Sequence, residues 1–158
     1  MNFYYNTKDD LEKIINKYSK MLLRIAYTYL KNTYDSEEIV QEVYIRLMTK
    51  KPRFASEEHE KAWLIKVTIN ISINYLKATY RKHVTLSDNI SYLSEEESEL
   101  LSAVLCLPDK YKIIIHLFYY EGYSIKEIAK ILNIPSSTVG TRLERGRNAL
   151  KKVLKGEF

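Results

Sequence analysis

The sequence predicts an all-α protein: two small helical domains joined by a flexible linker, the C-terminal domain containing a helix-turn-helix. Apolar residues recur every three or four positions over most of the 158 residues, which is the period of an amphipathic helix. The chain has only four glycines and three prolines, too few for the turns of an all-β architecture. A polar stretch without a period separates two helical regions. We therefore expect domains at residues 1–83 and 94–158, with the linker at 84–93.

The N-terminal domain is predicted to contain three helices. The first covers residues 9–31, where apolar side chains follow the helical period. Asp35 or Ser36 is expected to cap the second helix, and Lys50-Lys51-Pro52 to end it, because proline disfavours helical geometry in the preceding residue. This helix is expected to turn these residues inward: Ile39, Val40, Val43, Tyr44, Leu47 and Met48. The third helix is expected at residues 60–82, with an apolar side of Trp63, Leu64, Val67, Ile71 and Leu76.

The C-terminal domain is predicted to be helical from Ser94 onward. Ser94 and Glu97 have the spacing of a capping box, in which the serine side chain and the glutamate side chain each bond the other's backbone N–H. Pro108 is expected near the first position of a following helix, where its missing N–H costs nothing. Glu121-Gly122 is expected to close that helix after about Tyr120.

Residues 123–143 have the pattern of a helix-turn-helix. Ser124 and Glu127 form a second capping-box pattern, and Ala129 is small at the point where two helices must cross closely. Asn133 is expected in the tight turn, because asparagine tolerates a left-handed backbone. Val139 and Leu143, four residues apart, are expected to anchor the second helix to the core. The alternative is an ordinary helical hairpin with a solvated basic side.

The second helix of this motif carries the side chains that we expect to contact DNA. Hydroxyl groups at a helix N-terminus suit phosphates and base edges, and arginine pairs bidentately with guanine or phosphate. The candidate residues are Ser136, Ser137, Thr138, Thr141, Arg142, Arg145 and Arg147.

The charge of the chain favours a polyanionic partner. Residues 1–83 carry 15 lysines and arginines against 10 acids, and residues 108–158 carry 10 against five. Between them, residues 84–107 carry five acids and no basic residue. Nucleic acid would be attracted to the two basic blocks and repelled by the acidic segment. The alternative is that the charges only maintain solubility.

The sequence lacks the signals of a secreted, membrane or metal-dependent protein. One cysteine, Cys106, excludes an internal disulfide and favours a reducing compartment, and we expect it to be a small buried apolar group. No apolar run approaches 18 residues and no signal peptide is visible, so we expect a cytoplasmic protein. The three histidines and Cys106 lack metal-ligand spacing, and no glycine-rich phosphate loop is present. We expect neither a cofactor nor enzymatic activity.

Both halves of the chain resemble one protein family. Leu107-Pro108-Asp109-Lys110-Tyr111-Lys112, Glu121-Gly122-Tyr123-Ser124 and the run from Thr138 to Leu150 resemble the C-terminal domain of extracytoplasmic-function sigma factors. The run from Asp35 to Leu47, with Ala26-Tyr27 and Leu30 before it, resembles the family's polymerase-binding helix. Trp63-Leu64 followed by Asn70 resembles its −10 helix. Gly140 and Gly146 depart from the family, which often has serine and alanine there, so the −35 specificity cannot be copied from a relative.

The resemblance implies an alternative RNA polymerase sigma factor. Such a protein binds core polymerase, recognises the −35 and −10 promoter elements and helps to open the DNA. The residues that it implies for binding core polymerase are Asp35, Glu38, Gln41, Glu42, Tyr44 and Met48. Those implied for the −10 element are Arg53, Phe54, Lys66, Asn70, Asn74, Lys77 and Arg81, with Phe54 and Tyr75 as stacking surfaces. The residues implied for the −35 element are the helix-turn-helix residues named above.

The implied partners are core RNA polymerase, promoter DNA and an anti-sigma factor, which in this family is often membrane-anchored. The chain itself is not expected to insert into a membrane. The main alternative is a free-standing helix-turn-helix regulator, which would bind DNA tightly without polymerase. A helical adaptor protein and a helical nuclease are further alternatives, but the adaptor leaves the basic stripes unexplained and the nuclease lacks a metal-ligand set.

Overall fold

The structure, a computed structural model, describes residues 8–79 and 102–155. Its elements in those ranges are α-helices and one π-helical turn. The chain divides between Asp88 and Asn89 into two compact units, so the predicted all-α, two-domain architecture is confirmed. The predicted linker 84–93 and the capping box at Ser94 lie outside the described residues.

The N-terminal unit is a three-helix assembly. Helix α1 spans Lys8–Leu30, α2 spans Thr33–Lys50 and α3 spans Glu57–Thr79, and each helix packs against the other two. Each contributes fully buried aliphatic side chains to the core: Leu22, Ile25, Val43, Leu47, Leu64 and Ile65. Tyr18 of α1 is also buried, and burial together with the Glu60 carboxylate raises its pKa to about 12.

Helix α2 begins earlier than the sequence predicts. Asn32 is the N-cap, with φ −148° and ψ 123°, and its side-chain oxygen accepts a 3.0 Å hydrogen bond from the Asp35 backbone N–H. The prediction of Asp35 or Ser36 as the cap is therefore wrong. Ser36 is buried and donates from its hydroxyl to the Asn32 carbonyl. The predicted end is confirmed, since α2 stops at Lys50 and Lys51 takes the left-handed conformation.

The buried face of α3 differs from the predicted one. Leu64 and Ile71 are buried, whereas Trp63, Val67 and Leu76 are only partly covered. The face also contains four residues that the prediction left out: Ile65, Ile69, Thr68 and Ser72. The two hydroxyl residues fit the core because each donates a 2.7 Å hydrogen bond to the carbonyl four residues earlier.

The C-terminal unit contains α4 (described at residues 102–105), α5 (Asp109–Ile115), a π-helical turn (His116–Tyr120), α6 (Ile125–Leu132) and α7 (Ser136–Leu154). Helices α5 and α6 both pack against α7. Pro108 precedes α5 as predicted. The π-helical turn was not predicted, and it closes with a 3.1 Å bond from the Glu121 N–H to the His116 carbonyl. Gly122 follows with φ +74°, a backbone conformation that suits glycine.

Cys106 is exposed, contrary to the prediction of a buried residue. Its neighbours Ala103, Val104 and Leu107 are buried. The chain leaves α4 in a turn at Cys106, so the apolar run does not place every member on one face.

Candidate nucleic-acid interface

The helix-turn-helix has the local geometry that its sequence predicts. Ser124 caps α6, where its Oγ accepts from the Glu127 N–H at 3.1 Å and Glu127 Oε1 accepts from the Ser124 N–H at 3.2 Å. Asn133 forms the turn with φ 55° and ψ 49°, and its N–H donates to the Ala129 carbonyl. Val139 and Leu143 are buried and fix α7 to the core. The predicted helix-turn-helix is confirmed.

The outer face of α7 is polar and exposed. Ser137, Thr141, Arg145 and Asn148 are three or four residues apart, so they form one stripe opposite the buried residues. Asn148 was missed by the sequence analysis, although its spacing from Arg145 places it on that stripe. Thr141 is held to its helix by a 3.0 Å bond from its hydroxyl to the Ser137 carbonyl.

The other predicted α7 residues do not all share this stripe. Ser136 is exposed at the first position of the helix, while Thr138 and Arg142 are half-buried along one side. Arg147 is exposed on the other flank, about 100° around the helix from Asn148 of the stripe. Its Nη1 donates a 3.2 Å hydrogen bond to the Tyr119 hydroxyl. The structure thus places the seven candidates on an outer stripe and two flanks.

A stripe on α3 is also exposed. Lys66, Asn70, Asn74 and Lys77 are all exposed and follow one another at helical spacing. Arg53 is exposed in the connection between α2 and α3, whereas Arg81 lies outside the described residues. This stripe combines amide groups that can pair with base edges and ammonium groups that can hold phosphates.

Phe54 is corrected from a DNA-stacking residue to a core residue. Its side chain is completely buried, and its ring packs edge-on against His59 and Trp63 at centroid distances of 5.4 and 5.7 Å. A ring that is covered on all sides offers no face to a base. It instead anchors the connection between α2 and α3, from which Arg53 projects.

Helix α2 presents a second exposed surface, which we call the α2 seam. The seam contains three exposed apolar side chains, Tyr34, Ile45 and Met48, at 69%, 50% and 46% exposure. Glu38 and Gln41 lie between them and are also exposed. Met48 was predicted both to face inward and to bind polymerase, and its exposure contradicts the inward placement.

Tyr44 is corrected from a surface residue of α2 to a buried one. It is 8% exposed, and its hydroxyl shares a 2.5 Å hydrogen bond with Ser19 Oγ of α1. Burial raises the pKa of Tyr44, and the Ser19 hydrogen bond opposes that rise. The side chain therefore ties α2 to α1, in agreement with its predicted inward position.

Two further predicted α2 residues bond to groups within the N-terminal unit. Glu42 forms an ion pair with Arg46 at 3.5 Å along the same helix. Asp35 bonds the side chain of Tyr75 on α3, and burial followed by this hydrogen bond raises the pKa of Tyr75. The start of α2 is thereby linked to the C-terminal part of α3.

The described ranges contain neither a cluster of potential metal ligands nor a helix that could span a membrane. No group of three or more histidine, cysteine, aspartate or glutamate side chains there could hold a metal ion. Within the same ranges, no helix is both long enough and apolar enough to cross a bilayer.

Comparison with known proteins identifies the class of the chain. Residues 14–82 match sigma-70 region 2, and residues 97–150 match sigma-70 region 4. The first region contains α2 and α3, and the second contains the helix-turn-helix. The fold is therefore that of a sigma-70-type factor.

Individual relatives narrow the class further. The ECF RNA polymerase sigma factor SigW of Bacillus subtilis is 31% identical, in a match that covers 94% of this chain and 90% of the relative. The RNA polymerase sigma factor SigV of the same organism is 29% identical over 92% of this chain and 91% of the relative. The chain belongs to the extracytoplasmic-function (ECF) family of sigma factors. It is an alternative RNA polymerase sigma factor, and the free-standing regulator is not favoured.

Two solved structures share the fold. The sigma factor RpoE of Bartonella quintana, in complex with the anti-sigma factor NepR, superposes with a TM-score of 0.80 at 22% identity and covers 93% of this chain and 98% of its own. CnrH, in complex with the cytosolic domain of CnrY, superposes with a TM-score of 0.70 at 18% identity and covers 97% and 92%.

Proposed function

We propose that the two units of this sigma factor divide its work. The α2 seam binds core polymerase, the polar stripe of α3 reads the −10 element, and the outer face of α7 reads the −35 element. Residues 84–93 act as the linker between domains 1–83 and 94–158. The observation that carries the proposal is the α2 seam, because exposed apolar groups at regular spacing require a partner.

The spacing of the seam specifies the shape of that partner. Tyr34, Glu38, Gln41, Ile45 and Met48 are separated alternately by four and three residues, which is the repeat of a helix that packs into a coiled coil. The acid and amide in the seam favour a partner with basic groups beside its apolar ones. This chemistry agrees with docking on the coiled coil of the polymerase clamp, which the family resemblance implies. We retain the predicted polymerase-binding role for Glu38, Gln41 and Met48, and we add Tyr34 and Ile45 to this surface.

The α3 stripe suits DNA whose strands are being separated. Asn70 and Asn74 offer amides to base edges, while Lys66 and Lys77 are placed to hold phosphates on either side. Extruding a base costs a few kcal/mol of unstacking, which the protein must offset. Arg53, exposed in the connection between α2 and α3, and Arg81, outside the described residues, keep their predicted −10 role. With Phe54 in the core, Tyr75 is the remaining aromatic candidate for stacking.

The α7 stripe suits the major groove of duplex DNA. Short hydroxyl groups are offered near the start of the helix by Ser137 and Thr141. Longer hydrogen-bond donors follow one and two turns after Thr141, at Arg145 and Asn148. Ser136, Thr138 and Arg142 border the stripe and are assigned to phosphates or neighbouring bases. The stripe residues are thus the specificity determinants, and the flanking residues fix the register.

We further propose that an anti-sigma factor regulates the chain, and that the chain acts in the cytoplasm, where polymerase meets DNA. The complex of RpoE with NepR supports the first proposal. An inhibitor of this kind would cover both DNA-binding faces, the α3 stripe and the α7 stripe. Because the protein acts through binding, no catalytic residue is assigned.

The polymerase assignment is tested by placing a charge in the seam. Ile45→Glu puts a carboxylate where the partner is apolar, and we expect it to weaken binding to core polymerase at least tenfold and to abolish run-off transcription. Asn16→Glu places the same charge on an exposed position of α1 and is the matched control, expected to behave as the unmodified chain. Binding is measured by fluorescence anisotropy with purified core polymerase, and transcription on a promoter library.

Equal unfolding temperatures of the two variants would show that the fold is intact. Unchanged polymerase binding by Ile45→Glu would refute the docking role of the seam.

A further inference from the structure

The π-helical turn places an aromatic side chain beside the recognition helix. Tyr119 is 54% exposed, and its hydroxyl accepts the 3.2 Å hydrogen bond from Arg147 Nη1 across 28 residues of sequence. The Tyr119 ring packs edge-on against Phe118 at a centroid distance of 4.9 Å. The contact with Phe118 thereby holds the Tyr119 ring in place, and the Tyr119 hydroxyl in turn holds the guanidinium of Arg147.

The chemistry of this pair leaves the arginine able to bind an anion. A phenol carries no charge at neutral pH, so the hydrogen bond orients Arg147 without cancelling its positive charge, as a carboxylate would. Guanidinium has five N–H donors, and the bond to Tyr119 uses one of them. Within residues 8–79 and 102–155, no carboxylate lies within ion-pair distance of Arg147. An immobilised arginine also loses less conformational entropy when it binds.

The position of the pair indicates which anion it meets. When the outer stripe of α7 faces the bases, the two flanks of the helix face the phosphate backbones that form the walls of the groove. Arg147 lies on one flank, about 100° around the helix from Asn148 of the outer stripe. Arginine is the side chain that most readily forms a bidentate pair with phosphate, through two parallel N–H···O hydrogen bonds.

We propose that Tyr119 is a positioning residue for DNA binding, and that it holds Arg147 toward one backbone phosphate beside the −35 element. This inference rests on the proposed function, since it requires α7 to lie in the groove. It extends the DNA-contacting surface from the helix-turn-helix to the π-helical turn, which the sequence analysis did not include. It also gives Arg147 a role different from that of Arg145, namely a contact that does not depend on base sequence.

The test is a double-mutant cycle on the holoenzyme, with a fluorescent promoter duplex selected by the run-off experiment as the probe. Arg147→Ala should weaken binding about tenfold and reduce the slope of log affinity against log salt by about 0.9, the value of one phosphate contact. Tyr119→Phe removes only the hydroxyl and should weaken binding about threefold to tenfold, as expected for one hydrogen bond. On the Arg147→Ala background, Tyr119→Phe should add less than about a twofold loss, because the residue that it positions is gone.

Tyr120→Phe is the matched control, since Tyr120 is the adjacent exposed tyrosine and stacks on His116 instead. It should leave both affinity and salt slope unchanged. The inference is overturned if Tyr119→Phe leaves the affinity for DNA unchanged, or if it lowers that affinity by the same factor with and without Arg147.

Arg145→Ala separates this failure from failure of the proposed function. If Arg145→Ala weakens DNA binding and the Tyr119 and Arg147 variants do not, only the inference fails. If none of the three variants weakens binding, the assignment of α7 to the −35 element fails as well.

Discussion

Gly140 and Gly146 both lie inside α7, but a methyl group added at the two positions would meet different surroundings. At Gly140 nothing lies within 4 Å of the added carbon. At Gly146 the added carbon would lie 3.2 Å from Ile115 Cγ1 and 3.3 Å from Tyr111 Cβ on α5. Gly146 therefore allows the close approach of α7 to α5, whereas Gly140 leaves an open position on the side of α7.

This contrast predicts that the same substitution will have different effects on stability at the two positions. Gly140→Ala should raise the free energy of unfolding by about 1 kcal/mol, the difference in helix propensity between alanine and glycine. Gly146→Ala gains the same propensity but must displace Ile115 or Tyr111, so it should give no net gain or a loss. Urea denaturation of the two variants and the unmodified chain measures the difference. The explanation is wrong if Gly146→Ala stabilises the protein as much as Gly140→Ala does.

At the scale of the helical elements, the start of α2 depends on a residue that the sequence analysis overlooked. Asn32 accepts a hydrogen bond from the Asp35 N–H through its side chain and from the Ser36 hydroxyl and N–H through its carbonyl. The capping motif selected in the sequence, Asp35-Ser36, lies one turn inside the helix. Both residues still contribute, because Asp35 bonds Tyr75 and Ser36 fills the core.

Asn32→Ala should therefore destabilise the N-terminal unit by about 1 kcal/mol, the usual cost of losing an N-cap side chain. Asn32→Asp should retain most of the stability, because its carboxylate accepts the same hydrogen bond and lies favourably at the helix N-terminus. Circular dichroism during thermal unfolding measures both variants. Unchanged stability in Asn32→Ala would show that the cap is assigned to the wrong residue.

Which elements the sequence could predict depended on how local their signals are. The capping box of Ser124 and the left-handed turn at Asn133 involve neighbouring residues and were predicted correctly. The buried face of α3 was not, because Thr68 and Ser72 look polar in the sequence but satisfy their hydroxyls on their own helix. The π-helical turn was not predicted from the helical period, and its hydrogen bond to Arg147 spans 28 residues of sequence.

At the scale of the whole molecule, the sequence predicted exposed faces on α2, α3 and α7, but not every residue on them. The period of α2, α3 and α7 placed most of the polar candidates correctly, since exposure on a regular helix follows from spacing. Phe54 was misplaced because its burial is set by the packing of a connection, which has no period. Tyr34 and Ile45 were omitted because a single apolar residue on a helix surface is common, and only their joint exposure marks the seam.

The separation of these faces on two units predicts that the two kinds of variant will differ when they compete with the unmodified chain. Arg145→Ala should bind core polymerase normally but recognise the −35 element poorly, so an excess of it should sequester polymerase and inhibit transcription by the unmodified chain. Ile45→Glu cannot compete for polymerase and should not inhibit at the same excess. Run-off transcription with limiting core polymerase and a tenfold excess of either variant measures the difference. Equal inhibition by both would show that Ile45→Glu still captures polymerase, so the seam would not be the surface that binds the enzyme.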